Sequence, residues 1–304
     1  MNYKEKYCGV IVPMITPFTE KFEIDEQGVE NIVHGLLKNK CTPFVLGTTG
    51  ESSSISNNKK SDLIKYTVNM VNGKDLVYAG ISGNSFEDSV VNAKLYHDIG
   101  VDVLVAHLPS CYPIDDDQML RYYEALANAI RLPLMLYNIP VTTNLSISLK
   151  LVEKLSYHDN IIGFKDSQRG EDRLNESLRL WKDREDFTFH LGWAAKSSYG
   201  LVNGLDGIVP SSGNLVPSLY RGIYDAAKSG NVKKAEELQQ ITNVISAYYQ
   251  EGKILSRAFP IFKAMMNAFD LCEPYTALPM LTLSIDEIQN IRKDVLEKFG
   301  EYKD

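Results

Sequence analysis

The sequence predicts an α/β protein, a (β/α)8 barrel with additional C-terminal helices, and three observations predict it. From Val10 onward, short apolar runs recur roughly every 20–35 residues, each followed by a longer amphipathic stretch, which is the rhythm of repeated βα units and a parallel sheet. Eight such runs fall within about 200 residues, which suits the small end of the barrel size range better than an open sheet with two domains. Beyond Pro210 the pattern is helical throughout, more helix than an eighth βα unit needs.

The predicted strands are Gly9 to Pro13, Phe44 to Leu46, Leu76 to Ala79, Asp102 to Ala106, Leu134 to Tyr137, Ile161 to Phe164, Thr188 to Leu191, and Gly207 to Val209. The first lies in an apolar stretch, Cys8 to Ile15, that Pro13 and the nearby Pro17 punctuate. It is far shorter than the ~20 residues of a bilayer span, so it reads as a buried strand. Towards the C-terminus, Asn231 is an N-cap for a helix whose apolar stripe is Val232, Ala235, Leu238, Ile241, Ile245 and Tyr248. Ser284 and Glu287 form a capping box ahead of Ile288, Ile291, Val295 and Phe299. The expected division is a barrel over residues 1–225 and a helical region over 226–304, packed on the barrel or on a neighbouring subunit.

Composition narrows the partners. With 44% hydrophobic and 23% charged residues in 304, the chain can bury an ordinary globular core. A formal net charge of -7, with no clustered run of Lys and Arg, argues against a nucleic-acid surface. Cys8, Cys41, Cys111 and Cys272 are far apart and lack zinc or thioredoxin spacing, so free thiols in the cytoplasm are expected. The five histidines lack a helical zinc pattern, and although His107 and His190 fall near strand ends, they read as structural. No dinucleotide fingerprint, Walker loop or nucleophile-elbow serine is present.

Three segments carry chemistry. Gly47-Thr48-Thr49-Gly50-Glu51 follows a strand and precedes a helix beginning near Ser56, and its hydroxyls and N–H groups suit a carboxylate, although any strand-to-helix turn favours Gly and Thr. Tyr137-Asn138-Ile139-Pro140 puts a phenol at the carboxyl end of the fifth strand, the active face of a barrel, where it is either a proton carrier or an aromatic rim. Lys165, after Ile161 to Phe164, is either a snorkelling lysine or a desolvated amine able to attack a ketone near neutral pH. That Thr48, Tyr137 and Lys165 all fall just after strands, in barrel order, favours the chemical reading.

At these residues the chain resembles the dihydrodipicolinate synthase / N-acetylneuraminate lyase family of class I, pyruvate-dependent aldolases, TIM-barrel enzymes, with Gly207 and Asn214 as weaker matches. The resemblance extends from about Gly9 to the C-terminal helices. It implies that Lys165 forms an imine with a 2-oxo acid, that Tyr137 handles protons, and that Thr48 and Thr49, with Gly47, bind the carboxylate and help relay protons. Gly192 and Val209 would line the pocket through backbone groups. No metal or other cofactor is expected, and the partners are small 2-oxo acids and aldehydes, with no nucleic acid or membrane.

The second-substrate half departs from both best-known members. Where dihydrodipicolinate-forming relatives carry a carboxylate-binding arginine, this chain has Thr142, and a fixed bidentate fork is lost. The acidic pair of N-acetylneuraminate lyase corresponds to Ala194 and Ala195, while Lys196, Ser211 and Ser212 keep the region polar. The family's tyrosine donated across a subunit interface aligns with Cys111, and Tyr112 follows one place later. Tyr112, Thr142 and Ser211 therefore complete the expected substrate-binding set. The reading is a Schiff-base aldolase or lyase acting on pyruvate or a related 2-oxo acid with an unassigned acceptor, in a homo-oligomer, tetramer or dimer. Dihydrodipicolinate synthase is the runner-up. A silent barrel serving as sensor or scaffold, or a metal-dependent barrel hydrolase, would be the alternatives of another class.

Overall fold

The computed structural model describes residues 3–303. A short helix, α1 (Tyr3–Tyr7), precedes β1 (Gly9–Pro13), and the chain then alternates through α2 (Glu26–Lys38), β2 (Thr42–Val45), α3 (Asn57–Val71), β3 (Tyr78–Gly80), α4 (Phe86–Ile99) and β4 (Val103–His107). The second half runs through α5 (Asp116–Ala129), β5 (Leu134–Asn138), α6 (Pro140–Thr143), α7 (Leu149–Leu155), β6 (Ile161–Asp166), α8 (Glu171–Trp181), β7 (Thr188–Leu191), α9 (Ser197–Val202), β8 (Gly207–Ile208) and α10 (Pro217–Lys228). The strands close into a parallel barrel in the order β1 to β8, with β8 pairing β1. Three further helices follow: α11 (Val232–Gln250), α12 (Leu255–Ala268) and α13 (Ile285–Phe299).

Alternation along the strands sorts side chains into two cores. Val103 and Val105 of β4 and Met135 and Tyr137 of β5 point into the barrel, with Ile11, Phe44, Tyr78 and Val209. Leu104, Ala106, Leu134 and Leu136 point outward, into the layer beneath the helices. Tyr7 joins the inner cluster, and His190 donates from Nε2 to its carbonyl at 2.9 Å.

All eight predicted strands exist, β1 and β7 with the expected bounds and the other six with shifted ends. Strand β2 begins at Thr42 and stops at Val45, because Leu46 turns the chain with φ of 59°. Strand β3 begins at Tyr78 rather than Leu76. The N–H groups of Leu76 and Val77 are already taken by the carboxylates of Asp75 and Asp102. β4 and β6 extend further than expected, to His107 and Asp166, and β8 stops at Ile208. Ser56 caps α3, Asn231 caps α11, and the Ser284–Glu287 capping box opens α13.

The C-terminal helices share the outer core, through Ala235, Leu238, Ile245, Phe262, Val295 and Phe299. Among the described residues no helix is long and apolar enough to cross a membrane.

Candidate active site

The register across the sheet aligns four residues at neighbouring positions: His107 on β4 opposite Tyr137 on β5, Tyr137 opposite Lys165 on β6, and Lys165 opposite His190 on β7. Lys165 is buried, and its Nζ lies 3.7 Å from the centroid of the Tyr137 ring and 4.9 Å from that of Phe44. Burial pushes its ammonium below the ordinary lysine value, and Tyr137 partly offsets this. A lysine held this way supplies neutral amine far more readily than one in water.

The strand ends that present Tyr137 and Lys165 are locked by their outward neighbours. Asn138 donates to the Asp166 carboxylate at 2.8 Å and accepts from the N–H of Ile147 at 3.0 Å. Arg173 of α8 pairs with Asp166 at 2.6 Å and donates to the carbonyl of Ile147 at 2.9 Å. Burial pushes the Asp166 carboxyl up, while Arg173, Asn138 and the N–H of Gln168 pull it back. Sequence reasoning named Asn138 and Asp166 only as parts of motifs and missed Arg173. The outward position that alternation gives each residue was the signal for the first two.

The turn after β2 brings Thr48 to the phenol, with its hydroxyl 3.4 Å from that of Tyr137. Gly50 donates to the carbonyl of Gly47 and Glu51 to that of Thr48, both at 3.1 Å. Among the described residues, the N–H groups of Thr48 and Thr49 have no partner in the chain, so two donors remain to hold an anion. Gly50 is needed because a Cβ there would sit 2.9 Å from the carbonyl oxygen of Met14. Behind the turn, Glu51, in the left-handed region with φ of 55°, pairs with Lys263 of α12 at 2.6 Å and accepts from the N–H of Ala277 at 2.8 Å. Lys263 also donates to the carbonyls of Thr16 at 2.8 Å and Tyr275 at 2.6 Å. This buried pair ties the turn to the C-terminal helices, and nothing in the sequence pattern announced it.

The remaining predicted residues are dispersed. Val209 is in the inner cluster with Tyr137, and its N–H donates to the carbonyl of Leu191 at 2.8 Å. Gly192 packs so closely on Ser167 that a Cβ would lie 2.1 Å from its Oγ. Thr142 is half-buried in α6, its hydroxyl 3.3 Å from the carbonyl of Ile139. The Ser211 hydroxyl is engaged by Tyr249 of α11 at 2.7 Å. Cys111 and Tyr112 are both exposed in the loop after β4, Tyr112 at 74%. Asn214, the weaker match, fastens the end of β1 by donating to the carbonyl of Pro13 at 2.9 Å and accepting from the N–H of Ile15 at 3.1 Å. Among the described residues no three His, Cys, Asp or Glu side chains converge as metal ligands.

The chain matches the dihydrodipicolinate synthetase family over residues 6–298. It is 28% identical over 295 residues to the 4-hydroxy-tetrahydrodipicolinate synthase of Oceanobacillus iheyensis, across 97% of this chain and 98% of that protein. It is 31% identical over 306 residues to an uncharacterized DapA-like lyase of Thermofilum pendens, across 97% and 98% of the two chains. The solved dihydrodipicolinate synthase of Bacteroides thetaiotaomicron is similar with a TM-score of 0.90 and 28% identity, covering 96% of this chain and 98% of that one.

Proposed function

Because the chain belongs to the dihydrodipicolinate synthetase family, whose members are lysine Schiff-base lyases acting on pyruvate, we propose that Lys165 is the imine-forming amine of this enzyme. The protein is a class I aldolase or lyase for pyruvate or a related 2-oxo acid. The observation that carries the assignment is the buried Lys165 amine 3.7 Å from the Tyr137 ring, with the Thr48 hydroxyl 3.4 Å from the phenol. The neutral amine attacks the keto carbon, and the carbinolamine loses water to give an iminium. Loss of a proton from C3 then gives the enamine that adds to an aldehyde, and hydrolysis frees the lysine. Tyr137 carries protons in these steps. Thr48 and Thr49 hold the carboxylate through hydroxyl and N–H groups, with Gly47 shaping their turn and Gly192 and Val209 lining the pocket.

The acceptor is an aldehyde other than aspartate semialdehyde, a reading that rests on Thr142 in place of the arginine fork, with Thr142, Tyr112 and Ser211 on the acceptor side. The Oceanobacillus relative's name favours the second reading, 4-hydroxy-tetrahydrodipicolinate synthesis. The working unit is a homo-oligomer, tetramer or dimer, in which the exposed Cys111-Tyr112 segment completes a neighbour's site. Free cysteines support a cytoplasmic location. We take residues 1–225 as the barrel and 226–304 as the helical region that braces the carboxylate-binding turn through Lys263. Borohydride reduction in the presence of pyruvate, followed by peptide mapping of Lys165, tests the assignment.

A further inference from the structure

The alternation that carries Val103 and Val105 into the barrel interior carries His107 there too, one step higher, at the mouth. Its ring meets that of Tyr137 edge to face, with centroids 6.0 Å apart. The imidazole is fixed in one orientation. Nδ1 lies 2.8 Å from the carbonyl of Leu108, and the backbone N–H of His107 donates to the Ser82 hydroxyl at 2.7 Å. A carbonyl only accepts, so Nδ1 carries the hydrogen and Nε2 of the neutral ring keeps its lone pair. Among the described residues Nε2 has no hydrogen-bond partner.

Tyr137 from β5 faces the ring, the Lys165 ammonium on β6 is the charge that acts on it, and the Ser82 hydroxyl after β3 accepts from the backbone N–H beneath it. Burial is the main cause that pushes the imidazole below its ordinary value of 6.5, the Leu108 carbonyl opposes this, and the Lys165 charge adds to it. The ring is therefore neutral near pH 7 and able to accept a proton.

We propose that His107 is the relay partner of Tyr137, a positioning residue that takes up and returns the proton exchanged at C3 of the lysine-bound 2-oxo acid. This rests on the reading of Lys165 as the imine-forming amine. As the C3–H bond breaks, its electron pair forms the C2–C3 double bond and the iminium π pair returns to nitrogen. The proton passes to the Tyr137 oxygen while the phenolic proton passes through one bridging water to Nε2. Reversal restores a neutral imidazole once the carbon–carbon bond has formed or broken.

The test needs no acceptor aldehyde: exchange of the pyruvate methyl protons in D2O, followed by NMR across pH at saturating pyruvate, beside borohydride trapping on the same proteins. His107→Asn keeps a donor for the Leu108 carbonyl and removes Nε2, and His107→Gln keeps a hydrogen-bonding group that does not titrate. Both variants should trap pyruvate, exchange about 10- to 100-fold more slowly than wild type, and lose the limb on which wild-type exchange falls as pH drops below the lowered imidazole pKa. Exchange within about twofold of wild type, or an unchanged acid limb in a folded variant, overturns the proposal. So does a wild-type profile with no acid limb anywhere below pH 6.5, the ordinary imidazole value, while the protein stays folded, which needs no variant. A wild-type protein that traps no pyruvate would instead remove the Lys165 reading itself.

Discussion

The Nζ of Lys165 lies over the ring of Tyr137, 3.7 Å from its centroid, on the rung where β5 and β6 pair these two residues. The ring packs against the amine while the hydroxyl reaches Thr48, so packing and proton transfer separate in one substitution. Tyr137→Phe keeps the aromatic face and should leave the unfolding temperature near wild type. Turnover should fall by about 100-fold or more. Near-wild-type turnover would make the phenol a rim residue.

The Glu51–Lys263 pair is fully enclosed, with side-chain exposures of 0% and 1%. Lys263→Met would leave a buried carboxylate without its partner, a loss of about 3–5 kcal/mol in unfolding free energy. Since Glu51 ends the turn that presents Thr48 and Thr49, the KM for the 2-oxo acid should rise more than kcat falls. A Lys263→Met/Glu51→Gln double variant should recover part of the stability, measured by denaturant titration. A single variant within about 1 kcal/mol of wild type would contradict the account.

How much of this was legible in the sequence depended on distance along the chain. The eight strands were visible because each is an apolar run, and their ends slipped where a side chain or a positive φ intervened, as Asp75 and Asp102 do before β3 and Leu46 does after β2. Lys165, Tyr137 and Thr48 were visible because a barrel gathers the carboxyl ends of its strands, and the turns beyond them, at one face. The Glu51–Lys263 pair and the clasp of Arg173 on Asp166 were not, because they depend on side-chain geometry between separate elements. His107 reads as structural in the sequence, and only the alternation that puts Val103 and Val105 in the inner cluster suggests the relay proposed above.

In the proposed reading acceptor choice turns on Thr142, whose hydroxyl lies 3.3 Å from its own helix-start carbonyl, that of Ile139. A charge-assisted contact contributes about 1.5–3 kcal/mol, so condensation of pyruvate with aspartate semialdehyde should run roughly one to two orders of magnitude below a synthase with the arginine. Lysine-pathway complementation at normal expression should fail. Robust condensation would favour the synthase reading.

Tyr112 is exposed in the loop after β4, and if that loop enters a neighbour's site as proposed, closed symmetry lets one interface serve two sites. Sedimentation should give a tetramer or dimer, and Tyr112→Phe should lower turnover without changing the sedimentation coefficient. Cys111→Ser, which exchanges a weak donor for a better one, should leave turnover closer to wild type. An active monomer, or a Tyr112→Phe variant with full turnover, would overturn the shared site.

The most direct measurement is the mass of the peptide carrying Lys165 after incubation with pyruvate and borohydride. One reduced pyruvyl group is expected on that lysine and none on Lys165→Arg. Imine formation needs the neutral amine, and burial lowers the lysine pKa, so the initial trapping rate should climb as pH rises through that lowered value and level off before the ordinary 10.5. An adduct on another lysine, or none with pyruvate or any short 2-oxo acid, would contradict the assignment of Lys165.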